Sequence, residues 1–215
     1  MEIQNVVGVN HASLHDVHDD LGDALDIPHS MARVELIVGP MFSGKTTELL
    51  KRISRFDALD IPTLLLTSTL DTRAKGISTH SNIFSNIPVR KVRKLSEVID
   101  ECAFIEASVV GIDEAQFFDD IVKFVQICEQ RRKHVIIAGL DGDFRREPFG
   151  DILRCVPLCD SVDKLAALEL KADGTTRPAI FTHRCDDSNT NIIDIGGENK
   201  YIAVSRESYL RLRSK

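Results

Sequence analysis

The chain has 215 residues, 43% of them apolar, and its 33 aspartates and glutamates outnumber 27 lysines and arginines to give a formal net charge of −6. This length suits one α/β domain with an appendage, or two small units, and the apolar content is enough for a sizeable core. Mild acidity without a Lys/Arg stripe argues against nucleic acid as a main partner, and no apolar run approaches the ~20 residues of a membrane span, so no membrane partner is expected.

Residues 1–30 differ from the rest. They hold His11, His15, His18 and His29, several aspartates and no aromatic residue. The histidines allow a metal-binding tract, while the composition as a whole favours a solvated, largely disordered extension, with a short helix over Ser13 to Leu25. No basic region is followed by an apolar core, so no signal peptide is expected. The five cysteines, Cys102, Cys128, Cys155, Cys159 and Cys185, form no C-x-x-C pair. That pattern predicts a reducing, cytoplasmic setting, with Cys102 and Cys128 as buried thiols on helix faces.

The domain proper starts at Met31. An apolar strand over Val34 to Val38 runs into Gly39, Pro40, Met41, Phe42, Ser43, Gly44, Lys45, Thr46 and Thr47, which spell G-x-x-x-x-G-K-T. The two glycines lack a Cβ, so the loop can wrap a phosphate and aim backbone N–H groups at it. Lys45 supplies a point charge for the outer phosphates, and Thr46 a hydroxyl for the magnesium ion that travels with them. Behind the loop, Leu49, Leu50, Ile53 and Phe56 fall on one helical face and Lys51, Arg52 and Arg55 on the other. Strand, loop and helix together imply nucleoside-triphosphate binding.

Further strands are expected over Ile61 to Thr67, Ser108 to Ile112, His134 to Leu140 and Val162 to Leu168. Helices are expected over Leu95 to Phe104, with Ser96 as its cap, over Phe118 to Arg131 with Phe118, Ile121, Val122, Val125 and Cys128 inward, and over Phe149 to Val156. Asp71-Thr72-Arg73 and the polar stretch through Asn86 read as a loop near the ligand edge of the sheet. Asp113 and Glu114 close the Ser108–Ile112 strand. An acid at such a strand end orders magnesium, directly or through water, and adjacent acids point different ways. Asp113 is therefore free to serve the metal while Glu114 faces a substrate hydroxyl. His134 reads as structural. Alternating strands and helices indicate an α/β fold, a phosphate-loop NTPase-type parallel sheet covered on both faces. From Glu169 the chain turns to short strands and turns, too small for a core of their own. Three segments result: 1–30, 31–168 and 169–215.

These pieces, taken together, resemble the type II (cytosolic-type) thymidine kinases. The resemblance is carried by Gly39 to Leu49, Asp71-Thr72-Arg73, Thr79-His80, Gly111 to Phe118, Gly139 to Phe144, Pro148-Phe149-Gly150, Phe181 to Arg184 and Ile195 to Tyr201, in family order over nearly all of residues 33–209. It implies transfer of the ATP γ-phosphoryl group to the 5′-hydroxyl of thymidine, with deoxyuridine as a second substrate, in deoxynucleotide salvage. It implies Glu114 as general base, Arg73 steadying charge on the transferring group, a lesser role for Asp71, and Lys45 and Thr46 on phosphates and magnesium. It further implies a base pocket lined by Met41, Phe117, Leu140, Phe144, Phe149, Thr182 and Tyr201. That pocket is closed by a lasso whose backbone, at Ile195 and Gly196, reads the pyrimidine edge. A cytoplasmic homotetramer inhibited by thymidine triphosphate is implied in the same way.

The chain also departs from that family. The family staples the lasso base with four thiolates on zinc, and the matching positions here are Ser205 and Ser208 at one end and Glu169 and Ala172 near the other, with Cys185 alone. Zinc is therefore not expected. Asp194 stands where the family is commonly apolar. Two rival readings follow: a catalytically inactive nucleotide-binding paralogue in an assembly or regulatory role, and a different phosphate-loop NTPase.

Overall fold

A computed structural model describes residues 32–71, 87–185 and 200–213. The N-terminal extension, Thr72 to Asn86 and the lasso stretch 186–199 lie outside the described residues. Six parallel strands form the main sheet: β1 (Arg33–Val38), β2 (Thr63–Ser68), β3 (Val89–Val92), β4 (Val109–Ile112), β5 (His134–Gly139) and β6 (Ser161–Lys164). Their order is β3-β2-β4-β5-β1-β6. All pairs are parallel, with Val38 opposite Gly139 and Ile112 opposite Ile137, so the central strands end at nearly the same level.

Strand alternation sorts the core onto the two faces. Leu36, Leu64, Val110, Val135 and Ile137 meet Phe104, Phe118, Ile121, Phe124 and Val125 on one side. Ile37, Leu65, Ile136 and Ala138 meet Leu49, Leu50 and Ile53 on the other. The second face is covered by α1 (Lys45–Asp57), the first by α2 (Cys102–Glu106) and α3 (Ile121–Gln130). Glu35 points from β1 toward the α1 face, where an apolar residue would ordinarily sit. Its carboxylate meets His134 Nε2 at 3.0 Å and Arg52 at 2.7 Å, and Arg52 also reaches Glu48 and Asp163, each at 3.0 Å. The hydrogen bond from His134, helped by Arg52 against the cost of burial, pulls the Glu35 carboxyl down to about 2. Helical periodicity puts Arg52 on the solvent face; the structure tucks it under the sheet because three carboxylates converge there. His134 is structural, as expected, with Phe56 edge-on to its ring.

Four expectations are corrected. Leu95 to Phe104 is not one helix but a 3-10 turn, Leu95–Val98, followed by α2. Glu101 is extended between them, and the turn's first N–H groups, on Leu95 and Ser96, are capped by the Asp120 carboxylate rather than by Ser96. Cys102 is exposed, whereas Cys128 is buried and its thiol is pushed up to about 12 by desolvation. The expected helix after Pro148 is a 3-10 helix over Ile152–Leu158, displaced because Gly150 takes φ +62. Val162 to Leu168 divides: β6 stays in the main sheet, and β7 (Ala167–Leu170) leaves it to pair antiparallel with β8 (Thr176–Ala179). A third sheet pairs β9 (Phe181–Arg184) with β10 (Tyr201–Val204), and α4 (Arg206–Arg213) ends the described chain.

Helix α1 passes close over β4 at Gly111. A Cβ there would lie 2.2 Å from Ile53 Cδ1 and 3.0 Å from Leu65 Cδ1. Gly111→Ala is expected to destabilise the protein by about 1–3 kcal/mol through overpacking, read as a lower urea midpoint with an unchanged slope.

Candidate active site

The site is built at the carboxyl edge of the sheet, where β1, β4 and β5 end. After β1 the chain turns at Gly39, whose φ is +150 and whose missing Cβ leaves room for the Leu165 carbonyl, 2.5 Å from where that carbon would sit. Gly44, at φ +81, caps α1, and its carbonyl accepts the first helical N–H, from Glu48, at 2.9 Å. The first-turn N–H groups of a helix face its N-terminal end, and here those of Lys45, Thr46 and Thr47 stand beside a buried Lys45 ammonium that donates to the Pro40 carbonyl at 2.7 Å. Such an arrangement suits an anion.

The acids come from β4. Thr46 Oγ1 lies 3.1 and 3.0 Å from the two oxygens of Asp113. Burial, and then the neighbouring Glu114 charge, push the Asp113 carboxyl up to about 7, against the pull of Thr46, the Glu114 N–H and Lys45. A buried carboxylate beside a second acid and a hydroxyl is a hard oxygen donor set that suits magnesium. Glu114 sits in the left-handed region, φ 52 and ψ 41. A non-glycine residue held there costs on the order of 1–3 kcal/mol, which is characteristic of functional turns. The turn is secured by the Glu114 N–H, which donates to Asp113 at 3.0 Å, and by Gln116, whose side-chain amide donates to Glu114 Oε2 at 2.6 Å.

Beside the phosphate loop lies an apolar cluster of Met41, Leu140 and Tyr201, with Phe149 against it. Phe117 packs edge-on to Phe149. Thr182 ties this region to the loop by accepting the Met41 N–H at 3.0 Å. Arg184 links Phe144 to Tyr201: its guanidinium lies 3.9 Å from the Phe144 ring centre and donates to the Tyr201 hydroxyl at 3.0 Å. The structure thus gathers Met41, Phe117, Leu140, Phe149, Thr182 and Tyr201 around the loop, with Phe144 one layer out. Asp71 follows β2 at the same edge. Arg73, Ile195 and Gly196 lie outside the described residues. Sequence reasoning missed two contributors, Gln116 and Arg184. Both stand inside quoted motifs, and Gln116, two residues after Glu114, is the one that spacing alone offers.

The positions matching the zinc site carry a different device. Glu169 Oε2 accepts the Ser205 N–H at 2.8 Å, the Lys171 ammonium reaches Ser208 Oγ at 2.6 Å, and Lys171 meets Glu169 at 3.3 Å. Ala172 is exposed; it is Lys171 that turns inward. With an ammonium among them and no thiolate, these four residues do not suit zinc. They form a polar clasp that joins β7 to the start of α4. Burial works against the Glu169 charge, but hydrogen bonds from Ser205 and Ser208, with Lys171 beside them, hold its carboxyl down at about 2. Tyr209 of α4 completes the join, donating to the Phe144 carbonyl at 2.9 Å.

A family model described as thymidine kinase matches residues 32–209. Among curated proteins, the chain is 40% identical to the thymidine kinase of raccoon poxvirus over 178 residues, 82% of this chain and 96% of that one. It is 40% identical to the cytosolic thymidine kinase of Gallus gallus over 183 residues, 84% of this chain and 78% of that one. The thymidine kinase of vaccinia virus (strain Western Reserve) is 38% identical over 178 residues, 82% of this chain and 96% of that one.

The clasp makes a pH prediction. The Glu169 pKa is lowered on folding, from 4.5 to about 2, so its contribution is complete above about pH 4.5 and fades as pH falls toward 2. Glu35 titrates in the same window, so a Glu169→Gln variant is needed to isolate the clasp. Tyr201 and Tyr209 are the only tyrosines and there is no tryptophan, so tyrosine emission reports on this region. The stability gap between wild type and Glu169→Gln should be full near neutrality and close toward pH 2. A gap independent of pH would remove the clasp's electrostatic role.

Proposed function

We propose, from the premise that this chain belongs to the thymidine kinase family, that it transfers the γ-phosphoryl group of ATP to the 5′-hydroxyl of thymidine, with deoxyuridine as a second substrate. The observation that carries the reading is that Met41 belongs to two sites at once. Its backbone is part of the phosphate loop, and its side chain packs with Leu140 and Tyr201 in the apolar cluster, where the base is proposed to sit. A planar base in that pocket sits within one residue of the phosphates, which suits transfer between a nucleotide and a nucleoside.

In this mechanism the loop amides and the Lys45 ammonium hold the outer phosphates. Thr46 and Asp113 would hold magnesium, which supplies neutralisation of the charge that develops on the phosphate oxygens. Glu114 accepts the proton of the 5′-hydroxyl as that oxygen attacks phosphorus. In this reading Asp113 faces the cation and Glu114 the nucleoside, and the Glu114 carboxylate is held on its own side by the Gln116 amide at 2.6 Å. Met41, Phe117, Leu140, Phe149 and Tyr201 enclose the base and exclude water, Phe144 supports Tyr201 through Arg184, and Thr182 fixes the loop beside them. Arg73 steadies the transferring group, and Ile195 and Gly196 close over the base; these roles are carried by the resemblance. A cytoplasmic homotetramer belongs to the same reading. Among the described residues, no helix is long and apolar enough to cross a membrane.

The test is phosphoryl transfer from labelled ATP with magnesium to a panel of nucleosides. Thymidine monophosphate should form, and Lys45→Ala should abolish it. Glu114→Gln should lower turnover by about 10² or more while ATP binding stays near normal. Failure to phosphorylate any nucleoside, in folded protein that binds ATP, would return the chain to the inactive nucleotide-binding reading. Elemental analysis of the purified protein should find no stoichiometric zinc; one zinc per chain would overturn the polar clasp as the join between β7 and α4.

A further inference from the structure

Gln116 lies in the 3-10 turn Ala115–Phe117 and is only 3% exposed. Its side-chain nitrogen is 2.6 Å from Glu114 Oε2, and its side-chain oxygen accepts the Leu140 N–H at 2.9 Å. The two partners fix which way the amide points, since a carboxylate oxygen accepts and a backbone N–H only donates. Two glycines make room for the residue: a Cβ on Gly139 would fall 2.7 Å from Gln116 Oε1, and one on Gly150 would fall 2.1 Å from the Gln116 backbone carbonyl oxygen. Ordering a buried glutamine side chain costs rotamer entropy, and an aliphatic residue would fill the same volume without a polar group to satisfy.

We propose that Gln116 is a positioning residue for phosphoryl transfer: its carboxamide fixes the Glu114 carboxylate and ties it to the Leu140 wall of the nucleoside pocket. The inference rests on the role proposed above for Glu114. One end of the amide holds the atom that takes the proton, and the other holds the backbone of a residue that touches the base. The carboxylate is thereby referenced to the same wall that positions the nucleoside. Misplacing a reacting group by about 1 Å can cost about 10²-fold in rate, which is the scale expected when this tie is cut.

A purely structural role for Gln116 would be to satisfy the Leu140 N–H. Gln116→Glu separates the two roles. A glutamate still accepts from Leu140 and, once ionised at a pH above the raised pKa that burial beside Glu114 gives it, offers an acceptor to Glu114 where the amide offered a donor. We expect folded Gln116→Glu, assayed at alkaline pH, to keep its KM for ATP within about two-fold and to lose kcat for thymidine by about 10²-fold, a loss that shrinks as pH falls and the new carboxyl takes up a proton. In a Glu114→Gln background the same change should cost little more, because the group it positions is gone. Gln116→Met serves as the second variant should the glutamate fail to fold, with the same non-additivity expected. A wild-type kcat in either folded variant, or losses at 114 and 116 that multiply in full, overturns Gln116 alone. Wild-type turnover in Glu114→Gln, or a wild-type protein that phosphorylates no nucleoside, overturns the role of Glu114 and this inference with it.

Discussion

Parallel pairing in register makes the central strands of this sheet stop at a common edge, and each then contributes a different chemical group. From β1, past Val38, comes the phosphate loop; from β4, past Ile112, the two acids; from β5, past Gly139, the Leu140 wall. The register is held by alternating apolar residues on both faces, and slipping it by one residue would turn every core side chain to the wrong layer. Close approaches at Gly39, Gly111, Gly139 and Gly150 show how little slack that arrangement leaves.

Around this edge, charge does two opposite jobs. At Glu35 and Glu169 partners surround a carboxylate and hold its pKa down, so the ionised form contributes to stability at neutral pH. At Asp113 burial and the adjacent Glu114 dominate, and the pKa rises to about 7. The first two groups are satisfied by the protein itself. Asp113 is satisfied only in part, by Thr46 and a backbone N–H, and a divalent cation beside it would reverse the cost of its ionisation. The contrast separates two carboxylates whose charge their neighbours favour from one whose charge burial opposes.

The small C-terminal sheets lack a core of their own and depend on attachment. Thr182 binds β9 to the phosphate loop, Arg184 bridges Phe144 and Tyr201, and the Glu169–Lys171–Ser205–Ser208 clasp closes the base of the hairpin onto α4. The departure of this chain from the zinc-binding pattern thus marks a change in how the subdomain is fastened.

Local pattern determined much of this protein. The phosphate loop, the β4 acids, the alternating strands and the amphipathic helices α1 and α3 are legible because each is written in neighbouring residues at a fixed period. The same pattern reading placed Arg52 in solvent, ran Leu95 to Phe104 into one helix and carried the last main-sheet strand through to Leu168. Each of these was decided by a distant partner: the carboxylates of Glu35 and Asp163 for Arg52, Asp120 for the turn at Leu95, and the departure of β7 toward β8 for the strand. The short edge strand β3 and helix α4 went unseen because one is largely polar and the other is anchored by a single buried tyrosine. Gln116 and Arg184 looked like motif residues without a task until the fold brought Leu140, Phe144 and Tyr201 against them. Sequence carries periodicity and the identity of reactive groups; which polar side chain meets which partner is a long-range matter that only tertiary packing decides.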